Sequence, residues 1–498
     1  MRCRIRPISK SSLRLLSWFL CLCLLSACSV GPKYKTPAAP MPPAFKEPPP
    51  ANFKENGEWK QAAPQDDRIR GDWWEIFGDP QLNDLEAQVN VSNQTIAVAE
   101  AQFRAARTAV RAARSGLFPT LTVAGSAITT GSGAAGNRAV LGAGNVVRAG
   151  GGTSYTLPFD LTYEADVWGK VRKAIEAAAA TAQATAADLE TIRLSVHAEL
   201  ALDYFELRGL DEEQALFEQT VAGFEQALEL TMARFNQGVV SAVDVEQART
   251  QLETARAEAL DLGVQRAQFE HAIAILTGKA PAELNLARGL ISGEPPVIPV
   301  ALPSELLERR PDVAAAERRV ASANAQIGAA KAAYFPTISL SAVGGFESST
   351  ITSLLSWPSR FWSIGPGLSE ILFDAGRRRA LVAEAEAAYD STVAAYRENV
   401  LTAFRDVEDN LAALRILSDE AAQQNIAVES AQRSVDLALE RYRGGIAIYT
   451  EVITTQNALL ADQRVAIGIR TRRMDASVLL VKALGGGWDV SQLPSSQK

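Results

Sequence analysis

The chain has 498 residues, of which 47% are hydrophobic and 21% charged, and its formal net charge at pH 7 is −7. An acidic chain is a poor candidate for nucleic-acid binding, which needs a basic surface. It has two histidines and no zinc-protease helix motif, nucleophile elbow or phosphate-binding loop. The sequence therefore predicts neither an enzyme nor a cofactor.

The amino terminus predicts export. Residues 1–27 combine five basic side chains with an apolar run, Leu15 to Leu25, which is too short to span a membrane. The run ends in Leu-Ser-Ala-Cys, which resembles a bacterial lipobox, so we expect Cys28 to be lipidated and to begin the mature protein. The alternative is an ordinary signal peptide with a chance cysteine. If the cysteine is lipidated, Ser29 after it implies sorting to the outer membrane.

The predicted processing changes charge and cysteine content. Removing residues 1–27 takes the formal charge from −7 to −12 and leaves Cys28 as the only cysteine, so the mature chain has no disulfide. Residues 28–70 are rich in Pro and Ala and predict an extended tether to the folded body. Beyond it, Asp79-Pro80 predicts the start of a helix that continues through Ser115.

The folded part repeats itself once. SGLFPTLTV at 115–123 returns as AAYFPTISL at 332–340, and RFNQGVVSAVDV returns as RYRGGIAIYTEV. Each unit is predicted to contain helix, strand, loop, strand, very long helix, tight glycine turn and helix. The predicted divisions are a first repeat at 71–285, a linker at 286–308, a second repeat at 309–488 and a tail at 489–498.

Two very long helices are predicted, from about Val171 to Gln237 and from about Arg377 to Arg443. At ~1.5 Å per residue each is roughly 100 Å long, which no single globular core needs. Apolar residues recur at spacings of three and four, and Ala fills much of the rest, as in helices packed side by side in a coiled coil or α-barrel. A glycine turn ends each long helix, at Gly238 and at Gly444-Gly445, and an antiparallel helix returns from it.

Four strands are predicted, at about Thr120–Thr130, Ser154–Val167, Thr337–Phe346 and Phe361–Phe373. In the second, apolar and polar residues alternate from Tyr155 to Val167, which predicts one apolar and one wet face. The acids assigned to the wet face are Asp160, Glu164 and Asp166. Pro158 predicts a bulge or a strand end, because proline lacks the N–H of the ladder.

Four strands cannot close a barrel in lipid, which needs about eight or more. The mature sequence has no apolar stretch near 18 residues, so a membrane crossing would have to be by a barrel that several chains share. In that barrel the odd positions from Tyr155 to Val167 would face lipid and the three acids would line a wet lumen. The alternative is the edge of a soluble sandwich with one polar face.

Seven segments of the chain carry a shared signature: CSVGPKY, WWEIFGDPQLNDL, SGLFPTL, YEADVWGKVR, ERRPDVAAAERRVASANAQIGAAKAAYFPTISL, FDAGRRRA and RYRGG. Together they resemble the outer-membrane factor family, specifically its lipoprotein branch that serves resistance-nodulation-division efflux pumps. The resemblance runs from Cys28 to about Trp488. It implies a mostly α-helical fold with membrane β-structure, in which a homotrimer forms a 12-stranded β-barrel in the outer membrane that continues into a 12-helix periplasmic α-barrel.

The resemblance also implies a passive efflux duct. Its periplasmic tip would be closed until it docks with a periplasmic adaptor protein and an inner-membrane transporter. The hairpin tips, at Asn236–Asp244 and Arg443–Thr454, would form this gate, with Asp244 and Glu451 as its acids. Rings of three carboxylates in a narrow pore attract cations. Thr454 lies where relatives often carry a second acid, which leaves the charge at that level open.

Both proposed gate acids have a second interpretation. Ser241 and Asp244 form an S-x-x-D pattern typical of a helix capping box. Glu451 would be a favourable negative charge near a helix start. The sequence leaves gate and cap equally open.

Other motifs are weak. GSGAAG at 131–136 matches a dinucleotide-binding pattern but opens no helix, so we interpret it as a surface loop. His197 and His271 are interpreted as packed or solvated helix residues and not as metal ligands. Two further functions stay open: a type I protein-secretion channel, which Cys28 disfavours, and a non-conducting lipoprotein with a coiled-coil stalk, which needs no wet-faced strand. The cargo is not predicted, although few methionines disfavour copper or silver.

Overall fold

A computed structural model describes residues 30–39, 42, 44–47, 72–131, 139–141, 145–147, 152–296, 298, 309–488 and 493–494. The predicted signal peptide and lipidated Cys28 lie outside the described residues, as do most of the tether and all but Gly131 of the GSGAAG motif. The chain forms two compact units. The first, called the sheet unit, comprises 1–37, 105–182 and 318–393, and the second, called the helical unit, comprises 38–104, 183–317 and 394–498.

The sheet unit contains an antiparallel sheet with the strand order β1-β5-β6-β7, in which β2 also pairs with β5. A separate hairpin pairs β3 with β4. The strands are β1 (Thr120–Val123), β2 (Ser126–Thr130), β3 (Ala139–Leu141), β4 (Asn145–Val147), β5 (Gly152–Ala165), β6 (Thr337–Ser348) and β7 (Arg360–Ser369). Each of the four predicted strands is present, with ends shifted by up to four residues.

The first predicted strand is broken. β1 and β2 are separated by Ala124 and Gly125, which lie opposite Leu157 and Pro158 of β5. Pro158 itself stays in register opposite Gly345 of β6. The bulge or strand end predicted at Pro158 is therefore wrong, and the interruption lies in the neighbouring strand, opposite the residue that has no N–H for the ladder.

The α-helices reproduce the internal repeat. The two long ones, α3 and α6, have 67 residues each, and the helices that return from them, α4 and α7, have 35 each. The bounds are α1 (Pro80–Ser92), α2 (Gln94–Ser115), α3 (Lys170–Asn236), α4 (Ala242–Leu276), α5 (Pro311–Ala332), α6 (Arg377–Arg443) and α7 (Tyr449–Ala483). Short 3₁₀ helices occupy Trp73–Phe77, Pro281–Glu283, Ile351–Ser353 and Trp357–Ser359. In the described part of the chain, no helix has the length and apolarity to cross a membrane.

The prediction of one helix from Pro80 to Ser115 is wrong, because it breaks at Asn93. Asn93 has extended backbone, and its Oδ1 accepts a hydrogen bond from the Ile96 amide at 3.0 Å, which caps the start of α2. Its Nδ2 donates to the carbonyl oxygen of Leu276 at 2.8 Å, at the end of α4. A contact with a distant helix therefore fixes the break.

The core of the helical unit lies between long helices. One cluster packs Phe217 and Phe224 of α3 against Leu252 and Leu262 of α4. A second, nearer the turns, joins both hairpins through Ala227, Ala248, Ala438, Tyr442, Tyr449 and Val452. Small residues among these contacts allow the helix axes to approach closely, as the Ala-rich seams predicted.

The segment after α4 is tied to the helices by a buried ionic network. The Asp211 carboxylate, whose side chain is 1% exposed, accepts from Arg208 at 2.8 Å and from Arg266 at 2.7 Å. It also accepts from the Gly289 amide at 3.0 Å. Arg266 donates in addition to the carbonyl oxygen of Leu286 at 2.7 Å. The start of the predicted linker is therefore a fixed part of the helical unit.

Candidate functional site

The sheet has one continuous apolar face. Residues directly opposite each other in antiparallel strands point to the same face. Leu121 lies opposite Leu161, Leu161 opposite Ala342, and Ala342 opposite Ile364, so one apolar row crosses β1, β5, β6 and β7. Parallel rows contain Phe159 and Trp362, Tyr163 and Leu340, and Ile338 and Leu368.

This apolar face is open in the single chain. The exposed fractions of Trp362, Leu368 and Ile364 are 79%, 73% and 65%. A continuous apolar surface of this kind needs a partner or a lipid environment. The odd positions from Tyr155 to Ala165, which the sequence predicted to face lipid, lie on it, whereas Val167 lies beyond the end of β5.

The opposite face is polar and includes two of the predicted acids. Asp160 lies opposite Thr122 and Val343, and Glu164 lies opposite Ser339. Glu347, which the sequence analysis did not single out, lies on the same face opposite Thr156. The alternation predicted for β5 thus extends over the whole sheet.

Asp166 differs from the other two acids. β5 ends at Ala165, and the Asp166 carboxylate accepts hydrogen bonds from the amides of Val171 and Arg172, each at 2.9 Å. It also accepts from the Arg172 guanidinium at 3.1 Å. Asp166 therefore caps the start of α3 and lies beyond the strand that was predicted to carry it.

An aromatic contact marks the junction of strands and helices. The Trp168 indole N–H donates to the carbonyl oxygen of Pro336 at 2.8 Å, and its ring stacks on Phe335 with centroids 4.7 Å apart. The Val30 amide donates to the carbonyl oxygen of Trp168 at 3.2 Å. The first described residues of the chain are therefore fixed where β5 passes into α3.

The two helical hairpins turn at the predicted glycines. Gly238 and Gly445 have φ of 74° and 76°, the left-handed conformation that glycine adopts without strain. After each, an amide reaches back to the last helical turn, from Val239 to Arg234 and from Ile446 to Arg441, both at 2.9 Å. This is the Schellman arrangement, with Gly444 preceding Gly445 in the second hairpin.

The predicted gate acids occupy equivalent places with different contacts. Asp244 forms a capping box, in which its carboxylate accepts from the Ser241 amide at 2.9 Å and from the Ser241 hydroxyl at 2.8 Å. Glu451 instead accepts from the Arg441 guanidinium at 2.7 Å, across the turn from α6 to α7. The capping prediction is confirmed for Asp244, and the charge predicted near a helix start is confirmed for Glu451, which lies in the first turn of α7 and also forms a partly exposed ion pair.

A contact between the hairpins was not predicted. The Arg234 guanidinium donates to the carbonyl oxygen of Tyr442 and lies 4.4 Å from the centre of the Tyr442 ring. The Tyr442 hydroxyl lies 3.2 Å from Thr231 Oγ1. The only sequence signal was that Arg234 and Arg441 are 207 residues apart, at equivalent repeat positions.

The two histidines differ in burial. His271 is exposed on α4, whereas His197 is buried, with Nδ1 at 2.6 Å from Glu86 Oε2 and Nε2 at 3.0 Å from Asn90 Oδ1. Burial raises the pKa of Glu86 well above its usual range, and burial followed by the Arg193 charge lowers the pKa of His197 to about 4. The described residues contain no group of histidine, cysteine or acid side chains arranged to hold a metal ion.

Acidic side chains also meet between α3 and α7. Burial, followed by the Glu206 charge and hydrogen bond and the Asp203 charge, raises the pKa of Asp475 to about 8. Burial, followed by the charges of Glu199 and Glu206, raises the pKa of Asp203 to about 6. These acids come from distant parts of the chain, so no local motif announced them.

The sequence is similar to a family model and to known proteins. The family model described as "Outer membrane efflux protein" matches residues 86–279 and 302–486. The chain is 34% identical over 477 residues to outer membrane protein OprJ of Pseudomonas aeruginosa, covering 93% of this chain and 94% of that protein. It is 32% identical over 466 residues to the toluene efflux pump outer membrane protein TtgF of Pseudomonas putida, covering 93% and 95%.

A solved structure has the same fold. The outer-membrane channel OprN superposes with a TM-score of 0.80 and 28% sequence identity, covering 93% of this chain and 100% of that chain. The match includes the strands as well as the long helices, because it extends over nearly the full length of both chains.

Proposed function

Because this chain belongs to the outer membrane efflux protein family, it is a non-enzymatic outer-membrane component of an efflux pump, and we propose that three copies assemble into one duct. The single observation that carries the proposal is the two-faced sheet. Its apolar face is exposed, and its polar face carries Asp160 and Glu164. One open edge is the interrupted strand β1–β2, and the other is β7. Four strands cannot close alone in lipid, so the edges pair between copies and give a 12-stranded barrel.

The helices continue the duct. α3, α4, α6 and α7 of each copy line up in a 12-helix barrel on the periplasmic side. The narrow apolar seams and abundant small residues of these helices support side-by-side packing. Solute then moves passively, and the energy comes from an inner-membrane transporter of the resistance-nodulation-division class, joined through a periplasmic adaptor. Exposed apolar residues at the hairpin tips, Val239, Ile446 and Ile448, support docking of that adaptor there.

The chain is anchored by lipid at Cys28. Val30 is hydrogen-bonded to Trp168, in the short segment between β5 and α3. Trp168 stacks on Phe335 beside this contact, and such aromatic side chains are typical of membrane interfaces. This position suits a lipid anchor in the periplasmic leaflet, and it favours an efflux duct over a protein-secretion channel, which usually lacks the anchor.

The cargo is a small organic molecule. One relative is named for toluene efflux and another for antibiotic efflux, and we extend that class of cargo to this chain. Asp160 and Glu164 on the polar face give the lumen a negative potential, which favours cationic or neutral solutes over anions.

The gate lies at the hairpin tips. Glu451 and Arg441 form an ion pair whose side chains are 35% and 53% exposed. Breaking an ion pair this exposed costs little free energy. Asp244 keeps its capping role and adds charge at the same level. In a ring of three chains these acids make the closed end selective for cations.

Single-channel conductance of the purified protein in planar bilayers tests this function. Wild type is expected to be nearly shut and cation-selective, and the double variant Asp244→Ala, Glu451→Ala is expected to conduct more or to lose its cation preference. Glu246→Ala is the matched control, because Glu246 is an exposed acid in the first turns of α4 whose ion pair is with Arg249 of the same helix. A protein that is monomeric and silent in both forms would refute the shared barrel.

A further inference from the structure

One end of the sheet carries a charge on its otherwise uncharged apolar face. Arg360 is the first residue of β7 and lies opposite Phe346 of β6, so it shares a face with Trp362 and Ile364. Among the described residues of β1, β2 and β5–β7, every other residue on this face is uncharged. An arginine on a lipid-facing surface is costly at the membrane centre but nearly free of cost at the interface.

The Arg360 side chain is held by its neighbours in the connection between β6 and β7. Its Nε donates to the carbonyl oxygen of Trp357 at 2.9 Å, and its guanidinium lies over the Trp357 ring. Among the described residues, its polar and ring contacts are those with Trp357, and no carboxylate pairs with it. Because a guanidinium has five N–H donors in a planar fork, four of them remain available for a ligand.

The connection between β6 and β7 also carries exposed apolar side chains. Trp357 is 74% exposed, and Ile351 and Leu355 of the same connection are 65% and 72% exposed. Exposed aromatic and aliphatic side chains next to a cation are typical of the level where acyl chains meet headgroups.

We propose that Arg360, positioned by Trp357, binds the phosphate of a lipid headgroup in the outer leaflet of the membrane. The inference rests on the proposed function, which puts the sheet in the outer membrane with its helix-linked ends toward the periplasm. β6 begins after α5 and β7 leads to α6, so their connection lies at the opposite, external end. A phosphate oxygen pair matches the free edge of the guanidinium and gives a bidentate, charge-assisted contact.

The occupant is a lipid for two reasons. The cation continues the apolar face that contacts acyl chains, so a bound phosphate would have its own hydrocarbon tail over Trp362 and Ile364. A dissolved phosphate ion would gain only the charge contact, which salt screens at an exposed site. The lipid gains the charge contact and the apolar contact together.

Titration of the purified full-length protein with fluorescent diphosphorylated lipid A tests this inference. Arg360→Gln should weaken binding of this probe about fivefold, which is the loss of one arginine's attraction to an anionic membrane surface. Binding of the dephosphorylated lipid should be unchanged. Arg360→Lys should fall between, since lysine keeps the charge but not the fork. Arg433→Gln is the matched control, because Arg433 is an exposed arginine of α6 far along the chain from the strands, and it should bind like wild type.

Three outcomes would overturn the inference. The first is equal affinity of Arg360→Gln and wild type for the phosphorylated probe. The second is an equal loss for the dephosphorylated lipid, which would assign the effect to the apolar contact. The third is displacement of the probe by excess inorganic phosphate down to the level of Arg360→Gln, which would assign the site to free phosphate. Conductance separates this failure from that of the proposed function: a conducting protein without the lipid effect refutes only the lipid site.

Discussion

Removing the Asp211 carboxylate gives the sharpest test of how the helical unit is held together. In Asp211→Ala, Arg208 loses the buried acid on which its 3% exposed side chain depends. Arg266 and the Gly289 amide lose the same acceptor. Leaving a buried charge without its partner costs roughly 3–5 kcal/mol.

The surviving contacts place the expected cost at the lower end. Arg208 still donates to the carbonyl oxygen of Ala287, and Arg266 still pairs with Glu270 at 3.0 Å. We therefore expect a loss of about 3 kcal/mol in the free energy of unfolding. Asp211→Asn, which keeps an acceptor for Gly289, should lose about half as much.

Chemical unfolding followed by far-UV circular dichroism measures the loss, and hydrogen exchange at the Leu286 and Gly289 amides locates it. Glu218→Ala is the control, because Glu218 pairs with Arg288 where both side chains are nearly 60% exposed, and such pairs are worth about 0–1 kcal/mol. An Asp211→Ala protein that unfolds within about 1 kcal/mol of wild type, with Gly289 still protected, would refute the reasoning.

Three further outcomes are expected. Asp475→Asn should make the melting temperature less dependent on pH. The raised pKa of Asp475 favours its neutral form in the folded protein, so wild-type stability should fall as pH rises from about 4 to about 8. Equal pH profiles of the melting temperature in the two proteins would contradict this. Asn93→Ala should lower stability by about 1 kcal/mol through loss of a helix cap, whereas exposed Gln94→Ala should not. Gly238→Ala should cost about 1–2 kcal/mol, because alanine is strained at positive φ, and an unchanged melting temperature would argue against that turn.

The parts of the fold that follow from local pattern could be predicted. α6 spans Arg377–Arg443 as the sequence indicated, since glycines punctuate both of its ends. The two faces of β5 also followed from alternation alone. That the other strands continue the same two faces is known only from the strand register, because the sequence does not say which residues lie opposite each other.

The contacts made across long sequence distances could not be predicted. Glu86 and His197 are 111 residues apart in the chain, and neither lies in a recognisable motif. The break at Asn93 depends on the carbonyl oxygen of Leu276. That Arg360 is the one charged residue on the apolar face of the described strands follows only from the strand register. In each case the energetics depend on which surfaces meet, and periodicity within one element does not contain that information.

The two hairpin turns are equal in length but differ in the contacts of their acids. The Asp244 carboxylate accepts hydrogen bonds from Ser241, within its own helix start, whereas Glu451 bridges α6 and α7 through Arg441. In a ring of three chains, hairpins with an ion pair across the turn would alternate with hairpins that have a capping box at the same place. The ring of hairpin tips would then have threefold symmetry and not the sixfold symmetry of six identical hairpins. An opening force would act on two kinds of turn, which could open one after the other.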